Sequence, residues 1–155
     1  MFAVPVSLKK TKKIGLAVAA AVLAVICVVA TVRILDRPRD TATSAAGKQY
    51  ALAVERDGYA AFFRQIGIAA AEKPLMEKTV RIPDVFDAVY AAYNDLQKQA
   101  GLDLAPYRGL QARLLTFRTD APVNGFATLL VKDGRVIGGH LSDGEYGSRQ
   151  YPLTE

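Results

Sequence analysis

An uncharged apolar run from Ile14 to Val32 constrains this chain more than any other feature of the sequence. The run is 19 residues long, and Thr31 is the only strongly polar side chain in it. A helix of this length rises about 1.5 Å per residue and reaches roughly 28 Å, close to the hydrocarbon thickness of a bilayer. A buried core helix of this length would show a polar stripe. The run therefore predicts a transmembrane helix, which we place at residues 14–35.

The charges that flank the apolar run predict its orientation. Lys9, Lys10, Lys12 and Lys13 precede it with no acidic residue among them. Positive charge is retained on the cytoplasmic side, so residues 1–13 should form a basic cytoplasmic tail and the C-terminus should lie outside. The expected location is the cytoplasmic membrane, crossed once. The bilayer is then the first partner, and the lysines are placed to contact anionic headgroups.

A cleaved signal peptide is the alternative to an anchor, and it would make the chain a secreted protein. The apolar core of a signal peptide is usually about 7–15 residues long, which is shorter than the run found here. Small residues at 42–46 offer a cleavage site only beyond the run. The length of the core favours an anchor. Because Cys27 is the only cysteine, no disulfide within the chain is available to the rest of the molecule.

The net charge of +5 is concentrated at the membrane flanks. Residues 1–40 contain seven Lys/Arg and two acidic residues, whereas residues 41–155 contain 13 of each kind. Binding to nucleic acid requires a basic patch that neutralises phosphates on the folded domain itself. The charge balance of residues 41–155 therefore argues against nucleic acid as a partner.

The remaining sequence predicts a linker and one domain. Residues 36–48 are rich in Pro, Ser, Thr, Ala and charge, which is typical of a linker. Residues 49–155 are long enough for a single core and form the expected extracytoplasmic domain. Apolar spacing predicts helices at 50–66 and 83–100 and a short strand at 79–82, followed by strands at 110–118, 125–131 and 136–141.

The expected fold class is α+β. Asp133-Gly134 lies between two apolar runs, which is a strong signal for a hairpin turn. The order of elements favours a small antiparallel sheet of three to four strands, packed on one face by two helices. In the second helix the residues at helical spacing should face the core; they are Phe86, Val89, Tyr90, Tyr93, Leu96 and Ala100. Asn94, Gln97 and Lys98 lie off that face and are weak candidates for an interaction surface.

No catalytic or metal-binding pattern stands out in the domain. His140 is the only histidine, and Asp143 and Glu145 lie near it in sequence. A catalytic zinc needs three protein ligands, commonly with more than one histidine. We therefore expect no catalytic residue, metal or cofactor, and we keep these three residues as weak interaction candidates. The glycines of segment 134–139 follow a turn and lie in a strand, so they predict close backbone approach rather than a phosphate-binding loop.

Several segments of the domain, taken together, resemble a known family of bacterial proteins. They are Ile82–Pro83, Phe86–Tyr90, Tyr93–Lys98, Gly101–Leu104, Tyr107–Gly109, Leu129–Val131 and Arg135–Gly139. Their combination is similar to the DUF4830 domain family of short membrane-anchored proteins of unknown function. The resemblance implies an anchored envelope protein, mostly of Gram-positive bacteria, with a basic tail and an apolar N-terminal helix. It implies no catalytic residue.

Three functions remain open from the sequence. The leading hypothesis is a membrane-anchored binding domain whose partner is an envelope protein or a peptide. It follows from the anchor, the short tether and the lack of a catalytic pattern. A hydrolase acting on envelope substrates would need a cleft near His140, Asp143 and Glu145. A self-associating spacer is the third hypothesis.

Overall fold

The computed structural model describes residues 21–28, 40–55, 58–120, 125–145 and 147–154. The chain divides into two compact units, Met1–Pro38 and Arg39–Glu155. In the first unit, residues 21–28 are helical and exposed. The rest of the membrane helix predicted at 14–35, and the basic tail at 1–13, lie outside the described residues. Within the described part of the chain, no helix is both long enough and apolar enough to cross a bilayer.

The second unit is α+β, as the sequence predicts, and it contains two antiparallel sheets. Its elements in chain order are strand β1 (Thr41–Thr43), strand β2 (Gln49–Ala51), helix α1 (Tyr59–Ile66), strand β3 (Met76–Arg81), helix α2 (Ala88–Gln99), a short 3₁₀ turn (Ala105–Tyr107), and strands β4 (Gln111–Arg118), β5 (Phe126–Lys132) and β6 (Arg135–Ser142). The larger sheet has the order β3-β4-β5-β6, and β1 pairs with β2 in the smaller one. The predicted short strand is therefore the first strand of a four-stranded meander.

The folded unit begins earlier than the sequence suggests. It starts at Arg39, so residues 40–48 belong to it rather than to the linker predicted at 36–48. Ala42 and Ser44 are each only 5% exposed, and the backbone N–H of Ala45 donates to the carbonyl of Gln99 at 2.8 Å. The small polar residues that resemble a linker are thus small enough to pack against the domain.

Helix α1 is shorter than the helix predicted at 50–66. The apolar residues Tyr59, Phe62, Phe63 and Ile66 recur at i, i+3, i+4 and i+7 and are all buried. Gly67 ends the helix with φ 80° and donates its N–H to the last turn. The earlier part of the predicted helix forms strand pairs instead: Tyr50 and Ala51 lie in β2, which pairs with β1, and Ala53 forms a bridge with Arg135.

The Asp-Gly turn predicted between β5 and β6 is present. Asp133 has φ 49° and Gly134 has φ 73°, as a two-residue hairpin turn with positive φ at both positions requires. Lys132 pairs with Arg135 across the turn, and the register shifts by a bulge at Leu130/Val131. The turn fixes which residues of β5 and β6 face each side of the sheet.

Both faces of the larger sheet are covered, whereas the sequence predicted helices on one face only. Neighbouring residues on a strand point to opposite faces, and Leu129 and Leu130 belong to two separate core clusters. The first cluster lies under α1 and the β1–β2 pair and includes Tyr50, Phe62, Phe63, Leu115, Phe117 and Leu129. The second lies under α2 and includes Ile82, Leu104, Ala112, Leu130 and Ile137. One helix therefore packs on each face.

Strand β6 forms one edge of the sheet, and other segments pair with it at both ends. Ala53 forms a bridge with Arg135, and Tyr151 forms a bridge with Leu141. The Leu141–Tyr151 bridge contains two backbone hydrogen bonds, of 2.9 and 3.0 Å. The edge that β6 would offer to another chain is therefore largely occupied.

Candidate functional site

Helix α2 turns polar residues towards the sheet. Asn94 is 4% exposed and Gln97 is fully buried, so the expectation that both lie on an exposed side of the helix is wrong. Val89, predicted to face the core, is instead 78% exposed. Asp87 caps the helix by accepting a hydrogen bond from the N–H of Tyr90 at 2.7 Å. The inward stripe that follows is Tyr90, Tyr93, Asn94, Gln97 and Ala100.

The two buried amides are satisfied by the backbone of neighbouring segments. Gln97 Oε1 accepts a hydrogen bond from the N–H of Gly139 at 2.7 Å. Gly139 lies in β6, in the middle of the covered edge of the sheet. Asn94 Oδ1 accepts from the N–H of Leu104 at 2.7 Å, and its Nδ2 donates to Asp103 at 2.9 Å. Buried polar groups are retained where they satisfy backbone groups that would otherwise lack a partner. Both residues therefore have a structural role.

The two glycines of β6 explain how α2 and the chain end approach the sheet so closely. A Cβ atom on Gly138 would lie 3.0 Å from Leu104 and 3.3 Å from Gln97 Oε1. A Cβ atom on Gly139 would lie 2.5 Å from the Thr128 carbonyl oxygen. The glycine-rich segment is thus a site of close packing, as the sequence predicts.

The outward side of α2 begins with an exposed apolar surface. Val85 is 81% exposed, Val89 is 78% exposed, and Phe86 and Tyr90 are half-buried and pack against the second core cluster. The rings of Phe86 and Tyr90 lie 4.8 Å apart, and the guanidinium of Arg108 lies 4.4 Å above the ring of Phe86. We call Val85, Phe86, Val89 and Tyr90 the α2 surface. Apolar spacing in the sequence assigned three of these residues to the core and gave no signal for this role.

Lys98 is the one interaction candidate of α2 that is exposed. Its Nζ lies 2.8 Å from Asp95 Oδ1, one turn earlier on the helix, and both side chains are more than half exposed. An exposed pair of this kind contributes little stability. Lys98 and Asp95 therefore add charge to the outer side of the helix, further along than the α2 surface.

His140 lies against α2 rather than in a charged site. The hydroxyl of Tyr93 and Nδ1 of His140 are 3.0 Å apart, and their rings meet edge to face at 5.6 Å. Burial lowers the pKa of His140 to about 4 and, together with Tyr90, raises the pKa of Tyr93. Both groups are therefore neutral at pH 7. Thr128 faces His140 across the strands, and its hydroxyl lies 3.3 Å from that of Thr116.

Asp143 and Glu145 do not join His140 in a cluster. Asp143 Oδ1 accepts from the N–H of Glu145 at 2.9 Å, which shapes the loop after β6. Hydrogen bonds from the Ser148 side chain and from the Glu145 backbone lower the pKa of Asp143. Among the described residues, no group of three or more His, Cys, Asp or Glu side chains is arranged to hold a metal ion. The described residues of this loop offer no partner that would turn His140 into a general base.

Acid should destabilise the protein through His140. The pKa of His140 is 6.5 in the unfolded chain and about 4 in the folded chain, so the unfolded chain binds a proton first as the pH falls. The stability that depends on the neutral imidazole of His140 is therefore fully present above pH 6.5 and is lost as the pH falls from 6.5 towards 4. We expect the Tm to fall less steeply across this window in His140→Gln than in the native chain. Equal slopes in the two proteins would contradict the burial of the imidazole.

Comparison with known proteins gives one match. A family model described as a domain of unknown function (DUF4830) matches residues 62–141, slightly more than half of the chain. The matched range begins within α1 and contains α2, strands β3, β4 and β5, and all of β6 except Ser142. No curated protein and no solved structure matches the chain.

Proposed function

The chain belongs to the DUF4830 family, and we propose that it is a membrane-anchored binding protein whose folded unit binds an envelope protein or peptide outside the cytoplasm. In this proposal the apolar run at 14–35 is the anchor. The four lysines before it keep the N-terminus inside. In sequence, the unit Arg39–Glu155 begins a few residues after this run, and we propose that it lies outside the cytoplasm.

The observation that carries the proposal is an exposed apolar surface at the N-terminal end of α2. The helix buries two amides, whereas Val85, just before the helix, is 81% exposed and Val89 is 78% exposed. Single exposed apolar residues are ordinary, but here two exposed valines and two half-buried aromatic residues lie within residues 85–90, at the start of α2. Burial of a valine side chain contributes about 1.5–3 kcal/mol, so a partner that covers both valines gains substantial free energy.

The surroundings of the α2 surface fit the anatomy of a protein interface. Such interfaces have an apolar centre and a polar rim, with aromatic residues and arginine enriched. Arg108 lies over Phe86, and the exposed ion pair of Arg81 and Asp84 lies just before Val85. Charges of both signs at the rim favour a protein or peptide over a uniformly charged polymer.

Binding is better supported than hydrolysis. A hydrolase based on His140 would need a free ring nitrogen aimed at substrate and a residue that orients the other nitrogen. Nδ1 already faces the Tyr93 hydroxyl, and the Asp143 carboxylate is held in its own loop. No described carboxylate takes part in the shift of the His140 pKa, which burial alone explains.

The test combines Val85→Lys with Val89→Lys in the full chain, purified through a C-terminal tag from membranes in mild detergent. A stoichiometric partner of the native chain should be recovered at least about tenfold less with the double variant, because about 1.4 kcal/mol of binding free energy corresponds to a factor of ten. Both positions are exposed, so the fold should be retained.

Two controls complete this test. Gln99→Lys places the same charge at an exposed position at the other end of α2 and should recover the partner normally. A chain truncated after Pro38 should recover none. Equal recovery by the double variant and the native chain would remove the α2 surface from the proposal.

A further inference from the structure

The two edges of the four-stranded sheet differ in how far their backbone groups are paired with other segments. At β6, backbone groups are covered along the strand by residue Ala53, by the Gln97 side chain on Gly139 and by Tyr151. Among the described residues, strand β3 at the other edge pairs with β4, and five of its six residues are exposed. An edge strand left open in this way is a template for another strand.

The backbone groups that β3 presents outward follow from its pairing. Ile82, just after the strand, donates its N–H to the carbonyl of Leu110 before β4. Hydrogen-bonding direction alternates along an antiparallel strand, so Lys78 and Val80 also point their backbone groups towards β4. The backbone N–H and C=O groups of residues 77, 79 and 81 therefore point to the open side.

We propose that β3 pairs antiparallel with β3 of a second copy of this chain, centred on Thr79, and joins the two sheets into one. In this register Thr79 lies opposite Thr79 of the second copy. The outward backbone groups of residues 77, 79 and 81 all find partners, which gives about six hydrogen bonds across the interface.

Charge selects this register. Glu77 and Arg81 lie four residues apart on one face of β3, at equal distances from Thr79. Pairing about Thr79 places Glu77 opposite Arg81 of the second copy, and by symmetry it does so twice. Pairing about Lys78 would instead place two lysines opposite each other, which is unfavourable.

The existing contacts of these side chains are compatible with the pairing. Glu77 already binds Arg113 at 2.7 Å, and Arg81 binds Asp84 at 3.0 Å. The side chains of Glu77 and Arg81 remain 49% and 62% exposed. A carboxylate accepts several hydrogen bonds and a guanidinium has five donors, so each is able to add a partner while keeping those that it already has.

The apolar residues at the start of β3 also gain cover. Leu75 is 61% exposed and Met76 is 46% exposed. The register about Thr79 places them beside Pro83 and Ile82 of the second copy. Since paired strands present corresponding residues on the same side, both α2 helices lie on one face of the joined sheet. The dimer would therefore offer two α2 surfaces to a partner, although the pairing itself does not depend on the proposed function.

Two charge variants of the full chain in detergent test the pairing. Glu77→Lys alone would place lysine opposite arginine, and Arg81→Glu alone would place two glutamates opposite each other. Each variant should dimerise at least about tenfold more weakly than the native chain. Mixed together, the two variants restore both opposite-charge pairs and should form a heterodimer with near-native affinity, measured by sedimentation or by two-tag capture.

Each result of these measurements either supports or overturns the pairing through β3. A native chain that stays monomeric, or a mixture that stays as weak as its components, would overturn the proposal. Dimers that are equally strong in all samples would place the contact elsewhere, for example in the N-terminal segment, and would also overturn it. Failure of the Val85→Lys and Val89→Lys test would leave these results unchanged, so the two proposals are distinguishable.

The register has a covalent test. In a Cys27→Ser background, Thr79→Cys should give a disulfide-linked dimer with diamide, which accepts the two electrons and two protons of the thiols. Hydrogen-bonded cross-strand residues lie about 5.5 Å apart at Cα, within reach of a disulfide. Lys78→Cys is the matched control, because position 78 faces Val80 and not its own copy. Equal crosslinking at 78 and 79 would contradict the register.

Discussion

Replacing Phe63 by alanine is expected to lower the free energy of unfolding by about 3–5 kcal/mol. Phe63 is fully buried, and its ring lies 5.1 Å from Phe117 on β4 and 5.9 Å from Phe62 on α1. It joins the helix to the sheet at the centre of the first core cluster. Removal of the ring loses its transfer free energy and leaves a cavity. Urea unfolding of the full chain in mild detergent, followed by circular dichroism, measures the loss.

The control for this prediction is Phe86→Ala. Phe86 is half-buried on the other face of the sheet, where part of its ring already contacts water and Arg108. Its removal should cost clearly less, since less area leaves the core and no closed cavity forms. Equal losses in the two variants would mean that α1 does not pack against the sheet as described.

Gln97→Leu is the second substitution with a large expected effect, about 1–3 kcal/mol of destabilisation. Leucine is close to glutamine in size, so the change mainly removes the acceptor of the Gly139 N–H in a buried place. The exposed neighbour Gln99 provides the matched control, and Gln99→Leu should change stability by less than about 0.5 kcal/mol.

Hydrogen exchange adds a local readout for Gln97. The amide of Gly139 should exchange faster in Gln97→Leu than in the native chain, because local opening no longer breaks a hydrogen bond. If Gln97→Leu were as harmless as Gln99→Leu, and Gly139 stayed protected, the amide would have no role at the β6 edge.

The sheet was largely predictable from the sequence because its signals are local. Apolar runs rich in strand-forming residues indicate β4 and β5, and Asp133-Gly134 forms the turn before β6 from its local sequence. The two glycines of β6 were likewise interpretable as a place of close approach. These features depend on neighbours in the chain.

The elements that were missed depend on distant partners. Residues 50–54 have a composition compatible with a helix, yet they pair with β1 and with the start of β6. Residues 41–43 resemble a linker but form β1 because β2 is available to pair with them. The composition of a segment does not show which distant strand it pairs with, so residues 41–43 and 50–54 were assigned to the wrong structure.

The buried amides and the exposed Val89 of α2 were missed for a different reason, whereas Phe86, Tyr90 and Tyr93 pack against the second core cluster as predicted. Six apolar residues at helical spacing indicate a core-facing stripe, and the spacing itself is correct. The sheet edge, however, needs an acceptor at Gly139, and Leu104 needs one after the helix ends. Satisfying these two backbone groups turns Asn94 and Gln97 inward and leaves Val89 outside. The sequence did contain a signal for this inward face, because Asn94, Gln97 and Ala100 follow one another at i, i+3 spacing.

Site-specific photocrosslinking tests most directly whether the outer side of α2 contacts a protein partner. A benzophenone side chain replaces Val89 in the full chain in intact membranes, with position 99 of the same helix as the reference. We expect one discrete protein adduct at position 89 and none at position 99. Absence of an adduct at 89, or equal adducts at both positions, would contradict this contact.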